Sequence, residues 1–410
     1  MQVVIKETYY GILRSVVGGL LTICFSTSAW YSFKAADADH AYRENTLPSV
    51  RKAVSLAPGN AVYVSLLAEM LEGENQDPNP QLTETTRLTP LDSQYWIRRA
   101  FRAEVEGDFP RTERFLLQAA RVDHKGNPRW ALMNFYFRRG QSKEFWYWVT
   151  RALEVSSDDV TSIFRLAWDQ SQDSKLILSH IPNRDDLMIQ YFGFLSGTGR
   201  LDDASDVALR VARLAPMPAI PMLLGYCDRY AEGDSRRALM VWNALCEKKA
   251  IPFRPLDPSA GQIVTNADYA IEPTQHGFDW SAPALDGVAI GQNDEGGMRI
   301  ELSGNQPEDC VVLQQVMPLI SGKTYELTWK SGAASGTPVA GLFWEVSEGG
   351  AASSSSTAPI SGEAASNMGK LSFVATEQSS QLRLRYTRPI GSVRAAGVVV
   401  IKGLSGQAVR

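Results

Sequence analysis

The sequence predicts a multidomain chain in which helices come first and strands follow: an N-terminal transmembrane helix, an α-solenoid and a C-terminal antiparallel β-sandwich. Three observations support this prediction. An uncharged segment of nineteen residues, 15–33, lies near the amino terminus. Aromatic residues recur at intervals of 33 and 34 residues, at Tyr63, Trp96 and Trp130. In the last third of the chain, apolar and polar residues alternate with a period of two, which is typical of half-buried strands.

Length and composition set limits on the class of protein. The 410 residues are enough for two or three domains, and 44% hydrophobic with 21% charged residues is an ordinary globular composition. A net charge of −4 gives no attraction to nucleic acid, which favours a basic domain, so we predict no nucleic-acid partner. The four cysteines have no C-x2-C spacing and the four histidines are isolated, so we predict no metal site and no cofactor. We expect Cys227, Cys246 and Cys310 to be free and buried.

The amino-terminal segment 15–33 is predicted to be a signal anchor. Its nineteen residues are close to the ~20 that span a bilayer. Lys6 and Arg14 precede it, and acidic residues dominate the stretch that follows it: Asp37, Asp39 and Glu44. The positive-inside rule then places residues 1–14 in the cytoplasm and the bulk of the chain on the other side of the membrane.

Three other interpretations of this segment remain open. A cleaved signal peptide is consistent with the small residues at 27–29 and 36–38, and would release a secreted protein. A lipoprotein would use Cys24, but Ile23 occupies the position where a lipobox needs a small residue. A buried helix of a soluble domain fits the flanking charges least well.

Residues 39–250 are predicted to form stacked helix pairs. A glycine follows each periodic aromatic residue, at Gly73, Gly107 and Gly140, and turn sequences close the units at 56–60, 88–92 and 122–127. A period near 34 residues with these offsets is typical of helical repeats. Each pair leaves an apolar face uncovered, so only the stacking of several pairs completes the core.

This pattern resembles the tetratricopeptide (TPR) family, whose unit reads W-x2-L-G-x2-Y followed by Ala, Phe, Ala and Pro. Later units also contain it: Tyr191-Phe192-Gly193, Gly199, Ala204 and Pro216, then Gly225, Gly233, Ala238 and Trp242. Several expected Gly and Tyr positions are replaced, and residues 158–182 fit poorly. The resemblance therefore covers about half the chain and implies degenerate, TPR-like helical pairs.

In that family the first helix of each pair lines a concave groove that binds peptides or partner domains. Aligning the units on their aromatic residues places these residues in the groove: Gln94, Ile97, Phe101, Glu104, Pro128, Ala131, Phe135 and Arg138. The arginines of the same helices could contact acidic partners or simply form a solvated face: Arg98, Arg99, Arg102, Arg138 and Arg139. The resemblance thus implies a protein-binding adaptor.

Three prolines within 252–258 end the helical pattern, so residues 251–261 are predicted to be a linker and residues 262–410 a sandwich domain. Alternating or apolar runs predict eight or nine strands, at 262–266, 298–303, 310–316, 325–330, 340–347, 370–375, 382–387 and 397–402. The glycine- and serine-rich stretch 349–366 is predicted to be a long loop.

The domain resembles galactose-binding-like jelly rolls, the group that contains several carbohydrate-binding modules. The resemblance rests on residues 264–268, Gly277-Phe278-Asp279-Trp280, the run 325–329 and the closing apolar strand at 398–401. It implies sugar binding through exposed aromatic faces and polar neighbours. Members of the group usually carry an acidic pair near the last strand for calcium, but here Lys402-Gly403-Leu404 follows, which puts that ion in doubt.

The alternation along the strands separates residues expected in the core from candidate carbohydrate-binding residues. Trp329, Trp344 and Tyr386 share phase with aliphatic residues, so we expect them in the core. Phe343, Arg383 and Arg385 have the opposite phase, and Trp280 is close to a loop. The candidate carbohydrate-binding residues are therefore Trp280, Phe343, Arg383 and Arg385.

The sequence contains no H-E-x-x-H, G-x-S-x-G or Walker motif, so we predict no catalytic residues and no enzyme activity. The architecture resembles bacterial envelope proteins that accompany polysaccharide synthesis and export. This analogy implies a single-pass inner-membrane scaffold, mostly periplasmic, with envelope-assembly proteins as partners and polysaccharide as a further candidate. The alternative is a carbohydrate-binding protein whose helices are a spacer. Both rest on architecture, which does not by itself fix function.

Alkaline carbonate extraction of membranes distinguishes the two main interpretations of residues 15–33. A signal anchor predicts that full-length protein stays in the membrane pellet, because a spanning helix is held by its apolar length. Release of full-length protein by carbonate, or a mature amino terminus beyond residue 27, would contradict the anchor.

Overall fold

The computed structural model describes residues 2–333, 339–347, 355–360 and 367–409. Within them, fourteen α-helices are followed by nine strands. The chain forms two compact units, Met1–Ser171 and Gln172–Arg410. The helices of the first unit are α1 (Gln2–Arg43), α2 (Leu47–Leu56), α3 (Ala61–Gly73), α4 (Asn79–Leu88), α5 (Ser93–Val105), α6 (Phe109–Val122), α7 (Gly126–Arg138), α8 (Ser142–Val155) and α9 (Thr161–Ser171).

The first helix contains an apolar segment with no protein packed against it. Within the described residues, Leu13–Arg43 is the one stretch of helix long and apolar enough to cross a membrane, and its apolar window is 0% buried. Phe25 and Trp30 are 73% and 69% exposed. A membrane anchor and a signal sequence both fit this helix by length and composition. Its last turns differ, because Ala38 and Ala41 pack into the helical core beside Tyr63.

A short break separates α1 from α2. The first helix continues to Arg43, and α2 begins at Leu47 with Pro48 in its first turn. Two hydrogen bonds form a capping box at the start of α2. The Ser49 amide donates to the Thr46 hydroxyl, and the Thr46 amide donates to the Ser49 hydroxyl. Pro48 is thus at a position where its missing amide donor costs no helical hydrogen bond.

Successive helices of the first unit pack as antiparallel pairs, as the 34-residue period predicts. Asp92 and Asp108 cap α5 and α6 by accepting bonds from the amides of Gln94 and Arg111 at 2.9 and 3.0 Å. Gly107 turns the chain between those helices with a φ of +79°, a conformation that favours glycine. The proline-containing stretch 73–86 contains most of α4.

The second unit begins with five helices: α10 (Ser174–His180), α11 (Asp185–Gly197), α12 (Ser205–Leu214), α13 (Ile220–Ala231) and α14 (Ser235–Glu247). The stretch 158–182, which fits the repeat poorly, contains the division between the units and the seven-residue α10. Cys227 and Cys246 are buried, as is Cys310 in the sandwich, and burial raises the pKa of Cys246 to about 12.

The strands are β1 (Val288–Gln292), β2 (Met298–Ser303), β3 (Asp309–Pro318), β4 (Thr324–Ala333), β5 (Leu342–Ser347), β6 (Ser355–Pro359), β7 (Asn367–Val374), β8 (Ser379–Thr387) and β9 (Ala396–Val409). They form two antiparallel sheets, one ordered β1-β2-β9-β4-β7 and the other β3-β8-β5-β6. Trp329, Trp344 and Tyr386 are at most 1% exposed in the core between the sheets, as predicted.

Three strand predictions need correction. Residues 262–266 form no strand and contribute only an isolated bridge between Asp257 and Gln262. The first strand, β1, was not predicted, because its glycine and small residues weaken the alternating pattern. The strand β6 lies inside the predicted loop 349–366 and forms through backbone pairing with β5. The rest of that loop, 349–354 and 361–366, lies outside the described residues.

The last two helices pack directly against the sandwich through an aromatic cluster. The Trp242 ring of α14 stacks on Phe253 at 5.5 Å between centroids and meets Phe278 edge-on at 5.8 Å. A Cβ on Gly277 would lie 2.8 Å from the Trp242 ring, so this close approach requires glycine there. The segment 251–261 takes part, since Ile251, Phe253 and Leu256 are less than a tenth exposed.

Polar contacts fix the same junction. The Asp228 carboxylate accepts a bond from the Gly277 amide at 2.6 Å and pairs with His276 Nδ1 at 2.7 Å. At the turn between α13 and α14, Ser235 donates to the Gln378 carbonyl at 2.6 Å and Ser379 donates to the Glu232 carbonyl at 2.8 Å. The hairpin of α13 and α14 and the sandwich are therefore joined by both apolar and polar contacts.

Substituting Phe278→Ala should weaken this junction. Phe278 is 0% exposed, so its loss leaves a cavity and should destabilise the second unit by ~3–5 kcal/mol. Urea unfolding followed by tryptophan fluorescence measures the change. Phe101→Ala is the matched control, because Phe101 is 46% exposed and its truncation should cost less than ~1 kcal/mol. Equal effects of the two substitutions would contradict the described packing.

Candidate functional site

Two surfaces contain the residues that the sequence singles out. One is on α5 and α7 of the first unit, and the other is the outward side of the four-stranded sheet in the second. Each is built from side chains at fixed helix or strand spacings. The structure therefore shows directly which predicted residues lie together.

The outward side of α5 presents one row of side chains at positions i, i+4, i+7 and i+11, which we call the α5 stripe: Gln94, Arg98, Phe101 and Val105. Phe101 and Val105 are 46% and 77% exposed. Gln94 is also exposed, so Gln94 and Phe101 both lie on the surface. Their place in a peptide-binding groove stays a prediction. Ile97 and Glu104 are half-buried beside the stripe.

The α7 part of the predicted groove is wrong for three residues, because they are buried. Ala131 and Phe135 are only 5% and 2% exposed, so they belong to the core. Pro128 is buried as well. The reason is that more of α7 is covered than of α5, since Leu132, Met133 and Tyr136 are buried as well. Alignment on the aromatic residue cannot detect that difference.

Arg138 is exposed, but Glu104 of the preceding repeat satisfies it. Its Nε donates to Glu104 Oε1 at 2.9 Å and its Nη2 to Oε2 at 2.8 Å. The equivalent contacts one repeat earlier join Arg98 to Glu69 at 3.3 Å and Arg102 to Glu72 at 3.2 Å. Arg139 stacks over the Phe109 ring at 3.9 Å. These arginines link neighbouring repeats. Arg99 differs from them, because it is half-buried and has no carboxylate partner among the described residues.

The outward side of the four-stranded sheet brings three of the four predicted sugar-binding residues together. Cross-strand register sets Phe343 opposite Arg385 and Glu345 opposite Arg383 between β5 and β8. On the other side of β8, Gln314 of β3 is opposite Arg383. We call this surface the sheet face, and define it by these residues: Val311, Gln314, Val316, Phe343, Glu345, Ser347, Gln381, Arg383 and Arg385.

A network of charged side chains crosses the sheet face. Arg385 donates to both oxygens of Asp309 at 2.8 and 2.9 Å, and its other terminal nitrogen is 3.4 Å from Glu345. Arg383 approaches Glu345 only to 3.9 Å and donates to the side chain of Gln381. Glu345 is 8% exposed, an unusual burial for a carboxylate on the outside of a sheet.

Arg385 stays charged, and hydrogen bonds and ion pairs hold both arginines of this network in place. Burial acts to lower the pKa of Arg385, but the carboxylates of Glu345 and Asp309 outweigh it and raise that pKa. The Nε atoms of Arg383 and Arg385 are buried and have no hydrogen-bond partner. Because these Nε atoms are buried, a ligand at this surface would meet the terminal nitrogens instead, which Asp309, Glu345 and Gln381 already hold in position.

The outward side of the other sheet differs. There Met368 is 76% exposed and Lys370 is also exposed. Lys370 pairs with Glu326, as on an ordinary solvated surface. In contrast, the residues of the sheet face on β3, β5 and β8 are half-buried or buried. Exposed residues begin at its margin, with Asp309 and Thr387. Its polar groups are thus partly desolvated, which strengthens their interactions with a ligand.

Trp280 corrects the fourth prediction. It is 0% exposed, and its Nε1 donates to the Asn266 carbonyl at 2.9 Å. Its ring stacks against Trp344 with centroids 6.0 Å apart. The neighbouring Ser281 bridges to Gln314, so the segment runs along β3 and turns Trp280 inward. Trp280 therefore offers no ring to a sugar. Phe278, two residues earlier, is also fully buried. This spacing of two was the signal in the sequence that could have indicated an inward-facing Trp280.

Sequence reasoning missed Glu345, Asp309, Gln314 and Gln381. The phase of β5 and β8 indicates Glu345 and Gln381, since they alternate with core residues beside Phe343 and Arg383. Asp309 and Gln314 become visible only in the register between β3 and β8, which includes an irregularity between Val311 and Leu313. No cluster of three or more histidine, cysteine or acidic residues arranged for a metal occurs in the described part of the chain.

Comparisons with known proteins give partial likenesses. No protein-family model matches the chain, and no curated protein matches its sequence. A carbohydrate-binding module described as CBM4 covers 35% of this chain and 98% of its own, at 12% identity and TM-score 0.28. PilF of Pseudomonas aeruginosa covers 46% and 90%, at 11% identity and TM-score 0.29. PilW, a type IV pilus biogenesis factor, covers 44% and 91%, at 12% and 0.29. At these values the likenesses assign the chain neither a family nor a function.

Proposed function

We propose that this chain is a non-enzymatic binding protein whose sheet face recognises carbohydrate. The observation that supports this proposal is the half-buried network of Arg383, Glu345 and Arg385 beside the Phe343 ring. Sugar hydroxyls both donate and accept hydrogen bonds, so a surface of guanidinium, carboxylate and amide groups matches them. The apolar side of a sugar ring would lie against Phe343.

Preorganisation favours this assignment. Cross-strand register and ion pairs already hold the side chains of the sheet face, so binding would cost little further side-chain entropy. Arg383 lies at the centre, between Gln314 and Glu345, and would contact most ligands placed on the face. We assign the main polar contact with the sugar to Arg383 and the stacking contact to Phe343.

The rest of the chain would place this face in the cell envelope. The exposed apolar part of α1 has the length to tether the protein to a bacterial inner membrane. Under the positive-inside rule, the rest of both units beyond this anchor would then be periplasmic. Cleavage of the same segment would instead release a secreted protein. In either case the ligand would be a polysaccharide of the envelope, and its assembly or export is the proposed setting.

A glycan array tests the carbohydrate proposal. Full-length protein in detergent should bind a subset of glycans, and Arg383→Met should weaken that binding about tenfold or more, since hydrogen bonds to a charged group contribute ~1.5–3 kcal/mol. Arg299→Met is the matched control, because Arg299 lies on the other sheet and pairs with Glu301 at 2.8 Å. A blank array, or equal loss in both variants, would reject carbohydrate recognition by the sheet face.

A second function, protein binding through the helical repeats, is favoured by the α5 stripe. Phe101 and Val105 form an exposed apolar pair, and the ion pairs of Arg98 and Arg102 with α3 border it. Aromatic side chains of this kind are frequent anchors of protein interfaces. On this proposal the chain is an adaptor for envelope-assembly proteins.

Site-specific photocrosslinking tests the adaptor proposal. A benzoylphenylalanine at position 101 should capture a discrete protein partner in intact cells, because a ring at this position would lie inside the interface. The control places the same probe at Tyr147, another exposed aromatic position at 52% exposure, on α8. Identical adducts from both positions, or none from position 101, would exclude the α5 stripe as the interface.

A further inference from the structure

Arg99 of α5 is a half-buried guanidinium among groups that do not neutralise it. It lies over the Phe115 ring of α6 at 4.3 Å and is 5.8 Å from the Trp96 ring. One terminal nitrogen donates to Thr86 Oγ1 of α4 at 3.0 Å, and its Nε is buried without a hydrogen-bond partner. The side chain is thus directed toward α4 and α6 and away from the α5 stripe.

A second cation lies beside it. The guanidinium of Arg111 is 5.7 Å from the same Phe115 ring, and Glu106 approaches Arg111 only to 3.6 Å. Within the described residues no carboxylate forms an ion pair with Arg99. Burial lowers the pKa of Arg99, and the nearby charge of Arg111 lowers it further. A desolvated cation next to a like charge is unfavourable unless an anion compensates it.

We propose that Arg99 and Arg111 form a binding site for a carboxylate presented by an acidic segment of a protein partner. Arg99 of α5 and Arg111 of α6 supply the charges, and the buried Thr86 of α4 holds Arg99 in position by accepting one of its hydrogen bonds. A planar guanidinium can hold a carboxylate through two parallel hydrogen bonds. The Phe115 ring, 4.3 Å from the guanidinium carbon of Arg99, helps to hold that side chain in place.

This site differs from the other arginines of the same helices. Arg98, Arg102 and Arg138 already have glutamate partners in neighbouring repeats, so an incoming carboxylate would have to displace one. Arg99 has no such glutamate among the described residues, and the pair that Arg111 forms with Glu106 is long, at 3.6 Å. The site is also separate from the sheet face, and the inference holds whether or not the sandwich binds carbohydrate.

Binding of a fluorescein-labelled hexaglutamate peptide to the full chain in detergent, at constant ionic strength, tests the proposal. Arg99→Met keeps the apolar stem and should raise the Kd about tenfold or more, since a charge-assisted bond to a buried arginine is lost. Arg99→Lys keeps the charge without the planar fork and should also weaken binding. Arg114→Met is the matched control, because Arg114 is exposed on the same helix as Arg111.

A melting measurement distinguishes binding from a purely structural role. If Arg99 is held for a ligand, Arg99→Met should melt at the same or a higher temperature, because an uncompensated charge is removed. A lower melting temperature together with unchanged peptide affinity in Arg99→Met would overturn the proposal. Equal affinity losses in the Arg99 and Arg114 variants would also overturn it, as would Arg99-dependent binding of inorganic phosphate without binding of the peptide.

Discussion

A pair of helices cannot close its own core, and this constraint organises both units. Each pair buries one apolar face within itself and leaves another for its neighbour. In the first unit the next pair covers that face, as where α6 packs against α7. In the second unit the succession of helices ends at α14, whose Trp242 would be left uncovered. Phe253 and Phe278, from the start of the sandwich region, cover it.

Contacts between the α13–α14 turn and β8 also position the sheet face. Glu232, at the turn between α13 and α14, accepts a bond from Ser379 through its carbonyl and from Gln381 through its carboxylate, at 2.8 and 2.6 Å. Both partners begin β8, the strand that continues to Arg383 and Arg385. The end of the helical hairpin therefore borders the proposed carbohydrate surface. A spacer with no contact to the sandwich would not have this effect, so the helices of the second unit contribute to the geometry of the site.

Periodicity predicted the architecture because it reflects which side of an element is buried. The 34-residue period indicated the helix pairs, and the period of two separated Trp344 and Tyr386 in the core from Phe343, Arg383 and Arg385 outside it. It failed where burial depends on a partner from elsewhere in the chain. Phe135 is covered although its equivalent in the preceding repeat, Phe101, is exposed. Trp280 turns inward because its segment pairs with β3, and β6 exists because β5 offers an edge. None of these partners is local in sequence.

The arginines illustrate the same limit at the level of function. Arg98 and Arg99 are adjacent, yet one carries an ion pair from the neighbouring repeat and the other lies on an aromatic ring beside a second cation. Successive residues on a helix point about 100° apart, so adjacent positions enter different surroundings. A count of basic residues on a helix therefore says little about what it binds. What distinguishes Arg99, and Arg383 and Arg385 of the sheet face, is a buried Nε without an acceptor. That property depends on burial and partner geometry together, and in this protein it occurs at both proposed ligand sites.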